Sequence, residues 1–393
     1  MSSPQVIVAS AHPYMPEMRL GTSYLAEALA NRGWDVLYLD QPTSLLHFLH
    51  PRSRGIARRK LASAAETARG RERVFTTPAG GRVRLLSVAT WWPHVNVPVF
   101  RSAFILDRWW RYTYPSITRH IDANGFSGAR ALLFDSPYFH SLGSALGVPT
   151  VYRYADRIQC FPEVTPALVE KQQEVFRDAA LVVHTSKALL DDLGGREGKT
   201  LYLPNGVDID RFYGSWDEPP ELQGIARPRI IYAGTIGPWF DWAALRAAAQ
   251  ASPDLQFVLV GKVTTDLPRP LPGNVHLLGA VPFARIPSFL AHCQAGVIPF
   301  DVAAMPELVN AINPLKLYEY CAAGLPVVSY ASAEIEAAGG HVRLYRTPGE
   351  FAEGVKAVLS EETAPAREAR RAWADGMSWR RRGEELERAI LAL

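Results

Sequence analysis

The chain has 393 residues, more than one core usually serves, and its 48% hydrophobic and 21% charged residues are those of an ordinary globular protein. A net charge of +3 is too small to hold nucleic acid by bulk electrostatics. Cys160, Cys293 and Cys321 match no metal spacing and cannot all pair, which points to a reducing, cytoplasmic compartment.

The opening MSSPQVIVASAHPYMPEMRL lacks the basic start and long apolar stretch of a signal peptide. No window reaches the roughly 20 apolar residues that span a bilayer. QVIVASA (5–11) reads as a buried strand, and the amphipathic GTSYLAEALANRG after it ends at Gly33. WDVLYLD (34–40) is the next strand. Segment 51–73 then holds Arg52, Arg54, Arg58, Arg59, Lys60, Arg69, Arg71 and Arg73 against two acids, and Trp91-Trp92 and FILDRWWRYTYP (104–115) follow it. Such a run is commonly a solvated face beside core aromatics. The alternative is an interfacial patch, with arginines meeting anionic headgroups and aromatic rings at the boundary of a membrane.

Further strands are VRLLSV (83–88), ARALLFD (129–135), PTVYRYAD (149–156), ALVVHTS (180–186) and KTLYLPN (199–205). GSWDEPPELQGIARP (214–228) breaks this rhythm with glycine, proline and charge, and reads as a linker. A second series follows: PRIIYAGTI (228–236), LQFVLVGK (255–262), VHLLGAV (275–281), AGVIPF (295–300), GLPVVSY (324–330) and HVRLYRT (341–347). Strands alternating with helical patterns predict α/β architecture with parallel sheets in two Rossmann-like domains. The expected bounds are 1–213, a linker at 214–228, and 229–376, with a C-terminal helix over 377–393 returning to the first domain. No dinucleotide fingerprint follows either first strand, and no Walker A lysine loop is present.

NPLKLYEYCAAGLPVVSY (313–330) carries the most chemistry. Asn313 can cap a helix that Pro314 starts. Leu315, Tyr318 and Ala322 are expected to face the core, with Leu317 and Cys321 on the adjoining stripe. Lys316 and Glu319 share one face near the helix N-terminus, where a diphosphate meets free N–H groups and an ammonium. A carboxylate one turn on can accept from two ribose hydroxyls. The bland alternative is a Lys–Glu pair on a wet surface. It is weakened because the flanking strands place the helix start near the carboxyl edge of a sheet, where open α/β proteins bind ligands.

P-x-K-x-x-E-Y-x-A-A-G-x-P-V-V over 314–328 resembles the donor-nucleotide motif of GT-B glycosyltransferases. LPNGVD (203–208), YAGTIGPWFDW (232–242) and a late helix with SW near its start fit in the same order. The likeness is to bacterial transferases of exopolysaccharide and teichuronic-acid assembly and to the xanthan-type glucuronosyltransferase. It implies the GT-B fold, two domains facing a central cleft, and a UDP- or GDP-sugar held mainly by the second. Lys316 would contact the donor phosphates or an acidic sugar, Glu319 the ribose, and Gly234 and Thr235 would lie against the diphosphate. Many retaining relatives carry a second glutamate where this chain has Ala311, and Glu307 is at the wrong spacing, so the resemblance leans towards inversion.

Asp156, in VYRYADRIQ, ends a first-domain strand and is the candidate base, as in the similar V-Y-R-x-x-D of the xanthan-type enzyme. The alternative role is a helix cap. His12 is the second candidate base. Asp208-Ile209-Asp210 suits a turn better than a metal site, and no metal or other cofactor is expected, since Lys316 and helix N-termini can stabilise a departing diphosphate. Asp241 is left between cleft and cap, and Arg19 between an acidic acceptor and the surface. The expected activity is sugar transfer to a hydroxyl of a lipid-linked or polysaccharide acceptor at the inner face of the plasma membrane. Retaining transfer and a GT-B-fold sugar-nucleotide epimerase are the alternatives.

Overall fold

The computed structural model describes residues 3–15, 20–48, 54–71, 73–195 and 199–393. The chain divides into two compact units, the first comprising 1–185, 189–203 and 382–393, the second 186–188 and 204–381. Residues 214–228, read above as a linker, therefore belong to the second unit. Leu222 is fully buried there, and Arg229 donates to the Leu222 and Ile225 carbonyls, with its Nη1 2.5 Å from Glu218. The proline-rich composition reflects an irregular backbone packed on a core rather than a free tether.

The first unit holds β1 (Gln5–Ser10), β2 (Asp35–Asp40), β3 (Arg73–Thr76), β4 (Arg82–Leu86), β5 (Ala89–Thr90), β6 (Thr113–Tyr114), β7 (Ala131–Phe134), β8 (Thr150–Tyr154), β9 (Leu181–His184) and β10 (Thr200–Tyr202). Its main sheet runs β10-β9-β8-β7-β1-β2-β4-β3, parallel except for β3 on β4. The central strands are buried almost throughout, as expected of a parallel sheet covered on both faces. Sequence periodicity did not anticipate β3, β5 or β6. β3 is a short antiparallel edge, and β5 and β6 form a two-residue ladder of their own. In the last helix, Trp379–Leu391, Glu387 accepts from Trp34 Nε1 at 2.7 Å, and Gly383 leaves no room for a Cβ against Ala28.

The second unit holds β11 (Arg229–Ala233), β12 (Gln256–Val260), β13 (Val275–Gly279), β14 (Ala295–Ile298), β15 (Val327–Tyr330) and β16 (Val342–Tyr345), all parallel in the order β13-β12-β11-β14-β15-β16. The helix Leu315–Ala322 ends in a Schellman motif: Gly324 N–H bonds the Cys321 carbonyl and Leu325 N–H the Tyr320 carbonyl. Gly324 has φ +82, the left-handed conformation this turn demands. Leu317, Tyr318, Tyr320, Cys321 and Ala322 are buried, whereas Leu315, expected in the core, is only half-buried and gives way to Tyr320.

Each sheet reverses its winding once. In the first, β1 is followed by β2 on one side and β7 on the other; in the second, β11 has β12 and β14. Ligands of open α/β sheets bind beyond the carboxyl ends of the strands at such a reversal.

Candidate functional site

At the second reversal, Tyr320 organises the surroundings. Its ring fills the space where a Cβ on Gly296 of β14 would sit, 2.4 Å from a ring carbon, and its hydroxyl accepts the Ala233 N–H of β11 at 2.8 Å. Lys316 lies one helical turn earlier on the same face, so its position above the end of β11 follows from that anchor. A Cβ on Gly234 would lie 2.9 Å from both Lys316 Cε and Nζ. The ammonium sits 5.0 Å from the Tyr232 ring centroid and 5.1 Å from that of Phe300. It makes no ion pair among the described residues. Burial lowers the Lys316 pKa to about 8 and raises that of Glu319 to about 7, each shift opposed by the other's charge and the latter also by Arg211. A cation half withdrawn from water and lacking a salt bridge suits an arriving anion.

Gly234 has φ +150, donates to the Val260 carbonyl at 2.8 Å, and its own carbonyl fills the space of a Cβ on Gly261. Gly234→Ala combines this strained backbone with a clash on Lys316. It is expected to cost about 1–3 kcal/mol of stability and at least tenfold in nucleotide affinity, checked by urea unfolding and UDP titration; unchanged affinity would detach Gly234 from the site. Thr235 is exposed, and its carbonyl accepts from the Tyr232 hydroxyl at 2.6 Å.

Asn313 is not the helix cap expected from sequence; Pro314 occupies that position and no side chain caps the helix. Asn313 is instead buried. Its Oδ1 accepts from Asn205 N–H at 3.0 Å, its Nδ2 donates to Tyr318 Oη at 2.8 Å and Glu334 Oε1 at 2.7 Å, and its carbonyl accepts from Asn205 Nδ2 at 2.7 Å. Four bonds fix the entry to the helix, leaving its first N–H groups free of a side-chain cap. Asn313→Ala orphans buried partners and is expected to cost about 2–3 kcal/mol in urea unfolding; a loss below about 1 kcal/mol would mean the network reorganises around it.

At the first reversal, the ends of β1, β7 and β8 lie side by side. Asp135, just after β7, accepts from Ser10 Oγ at 2.6 Å and Ala11 N–H at 2.9 Å. Asp156, beyond β8, makes no hydrogen bond among the described residues. Arg157 occupies the cap position of the short helix that follows and turns to Asp192 at 2.8 Å, so Asp156 caps nothing. Burial raises the Asp156 pKa, with the charges of Arg153 and His12 opposing and that of Asp135 reinforcing. Arg153, buried on β8, acts on both carboxylates. His12 is exposed; its N–H donates to Ser10 Oγ at 3.1 Å and its carbonyl accepts from Tyr38 Oη at 3.2 Å. Asp135 and Arg153 escaped the sequence reading. Both had a signal: ARALLFD ends in aspartate as PTVYRYAD does, and Arg153 stands inside the V-Y-R-x-x-D stretch.

Other candidates resolve simply. Asp241 caps the helix Trp242–Ala251 through Ala244 N–H at 2.8 Å. Asp208 pairs with Arg211 at 3.5 Å and serves its turn. Ala311 is fully buried. Arg19 and Arg52 lie outside the described residues.

Parts of the chain are similar to known proteins. Residues 227–361 match the family described as Glycosyl transferases group 1. The putative teichuronic acid biosynthesis glycosyltransferase TuaH of Bacillus subtilis is 32% identical over 34% of this chain and 34% of its own length. The D-inositol 3-phosphate glycosyltransferase of Geodermatophilus obscurus is 28% identical over 59% of this chain and 56% of its own. The chain thus spans about a third and about half of these two relatives. Among solved structures, Anabaena Alr3699/HepE in complex with UDP and glucose superposes over 100% of both chains with a TM-score of 0.62 at 17% identity. The fold is GT-B, and the likeness expected from 314–328 is met.

Proposed function

We propose, from the premise of a GT-B fold with a group 1 glycosyltransferase segment, that the protein moves a sugar from a UDP- or GDP-sugar to a hydroxyl of a lipid-linked or polysaccharide acceptor. The observation that carries this reading is the Lys316 ammonium, held over Gly234 at a sheet reversal and without an ion pair among the described residues. It neutralises the diphosphate as the glycosidic bond breaks, and Glu319 binds the ribose hydroxyls. Asp156 takes the acceptor proton while the hydroxyl attacks the sugar carbon from the face opposite the leaving group, so the configuration inverts. Buried Ala311, in place of a second acid, supports inversion. No metal is required. His12 is the alternative base.

The acceptor side supports a membrane setting. Trp91 is 71% exposed, Phe104 58% and Tyr114 60%. Arg108 lies over the Phe104 ring at 4.2 Å, and the basic helix Arg54–Ala68 belongs to the same unit. No helix among the described residues is long and apolar enough to cross a membrane, so contact would be peripheral.

A scan of nucleotide sugars tests the reading by following nucleotide release with and without a lipid-pyrophosphate acceptor. Binding of one donor with acceptor-dependent release is expected; absence of any donor binding or turnover defeats it. Flotation with anionic vesicles tests the membrane setting, and an unbound protein at low salt defeats that part alone.

A further inference from the structure

A cavity of about 160 Å³ opens at the carboxyl end of β2, outside the Asp156 cluster. Tyr14, Tyr38, Asp40, Arg59, Lys60 and Arg73 are among its walls. Asp40 is the last residue of β2, and its side chain is 9% exposed. One of its oxygens lies 3.7 Å from Lys60 Nζ; the other is buried with no hydrogen-bond donor among the described residues. Lys60 also donates to the Gln41 carbonyl, Arg73 donates to Ser63 Oγ, and Arg59 has no ion pair among the described residues. Lys60 and Arg73 thus act on one carboxylate, and Arg59 lines the same hollow, an arrangement a solvated surface would not need to gather.

The aromatic wall joins this cavity to His12, the alternative base. Tyr14 packs edge-on to Tyr38 with ring centroids 5.1 Å apart, and the Tyr38 hydroxyl donates to the His12 carbonyl. In the sheet, β2 and β8 are separated by β1 and β7, three strand spacings or roughly 14 Å. That separation exceeds one sugar ring.

Resting on the function proposed above, we propose that this cavity holds a phosphate or diphosphate group of the acceptor, gripped by Arg59, Lys60 and Arg73, while a hydroxyl farther along the same acceptor reaches Asp156. A carboxylate would occupy one guanidinium fork, whereas a phosphate offers acceptor oxygens to all three cations. Burial raises the Asp40 pKa and the charges of Lys60 and Arg73 oppose it, so an anion that draws Lys60 away leaves Asp40 able to hold a proton.

The test uses the full chain carrying Lys316→Ala, which removes the diphosphate contact of the second unit, and titrates inorganic pyrophosphate calorimetrically at about 0.15 M salt. Saturable binding is expected, weakened at least tenfold by added Arg59→Ala or Arg73→Ala. Both side chains are exposed, so folding is not at risk. Arg58→Ala, on the same helix but not on the cavity wall, should change affinity less than twofold. Asp40→Asn should tighten binding severalfold by freeing Lys60. No saturable binding, or an equal loss with Arg58→Ala, overturns the proposal. So does glucuronate binding as tightly as pyrophosphate. A loss of anionic-vesicle binding in Arg59→Ala with unchanged pyrophosphate affinity makes the cluster a membrane contact and overturns it too. UDP titration of the wild type reads the donor site separately, so either reading can fail without the other.

Discussion

Lys316→Ala is expected to lower kcat/KM for the sugar transfer proposed above by about 10²–10³-fold, the effect of removing one preorganised group from a developing anion. In the proposed transfer the leaving nucleoside diphosphate gains charge as the sugar departs, and the Lys316 ammonium lies above Gly234. Part of the loss appears as weaker donor binding and part in kcat, because the contact strengthens as charge develops. The wild type supplies a second readout. With its pKa lowered to about 8, Lys316 in the empty protein loses its proton as pH rises through that value. Donor affinity should therefore fall on the alkaline side, and that limb should vanish in the alanine variant. Initial rates and UDP titrations across pH measure both. Activity within threefold of wild type would remove Lys316 from the mechanism.

Asp156→Asn is expected to cost about 10²–10⁴-fold in kcat, the range for loss of a positioned base, while donor affinity stays within about twofold. The same substitution should make the protein more stable. Burial raises the proton affinity of Asp156 above that of the unfolded chain, so the folded state holds the proton more tightly. Stability from this group then falls as pH rises from the ordinary carboxylate range through the raised value, and the full penalty applies above it. Asparagine carries no such penalty, so Asp156→Asn should melt higher than wild type near neutral pH. Scanning calorimetry with single-turnover rates tests the pair of effects. A lower melting temperature would make Asp156 structural, and full activity would transfer the role of base to His12.

The central strands of both sheets were legible because they are apolar runs buried on both faces, and that pattern needs no tertiary information. β3 was not, since its edge position leaves RVFT half-exposed and without a strong period. Lys316 and Glu319 could be read because helix start, glycine stop and following strand all lie within 313–330. Asn313 was misread for the opposite reason. Its partners Asn205 and Glu334 come from segments distant in sequence, and a local rule for caps cannot see them. Asp135 was missed likewise: its importance comes from strand order, which sets β7 between β1 and β8.

Gly234 and Gly261 carry a constraint of a different kind. A Cβ at 261 would fall 1.8 Å from the Gly234 carbonyl oxygen, and one at 234 would meet Lys316. Neither position can drift alone, and relief at one does nothing for the other. A library randomised at both would return the same pair, glycine and glycine, among survivors, while exposed Thr235, next to Gly234, varied. Under the function proposed above, an attempt to change the donor should therefore begin at position 235 and leave that pair untouched.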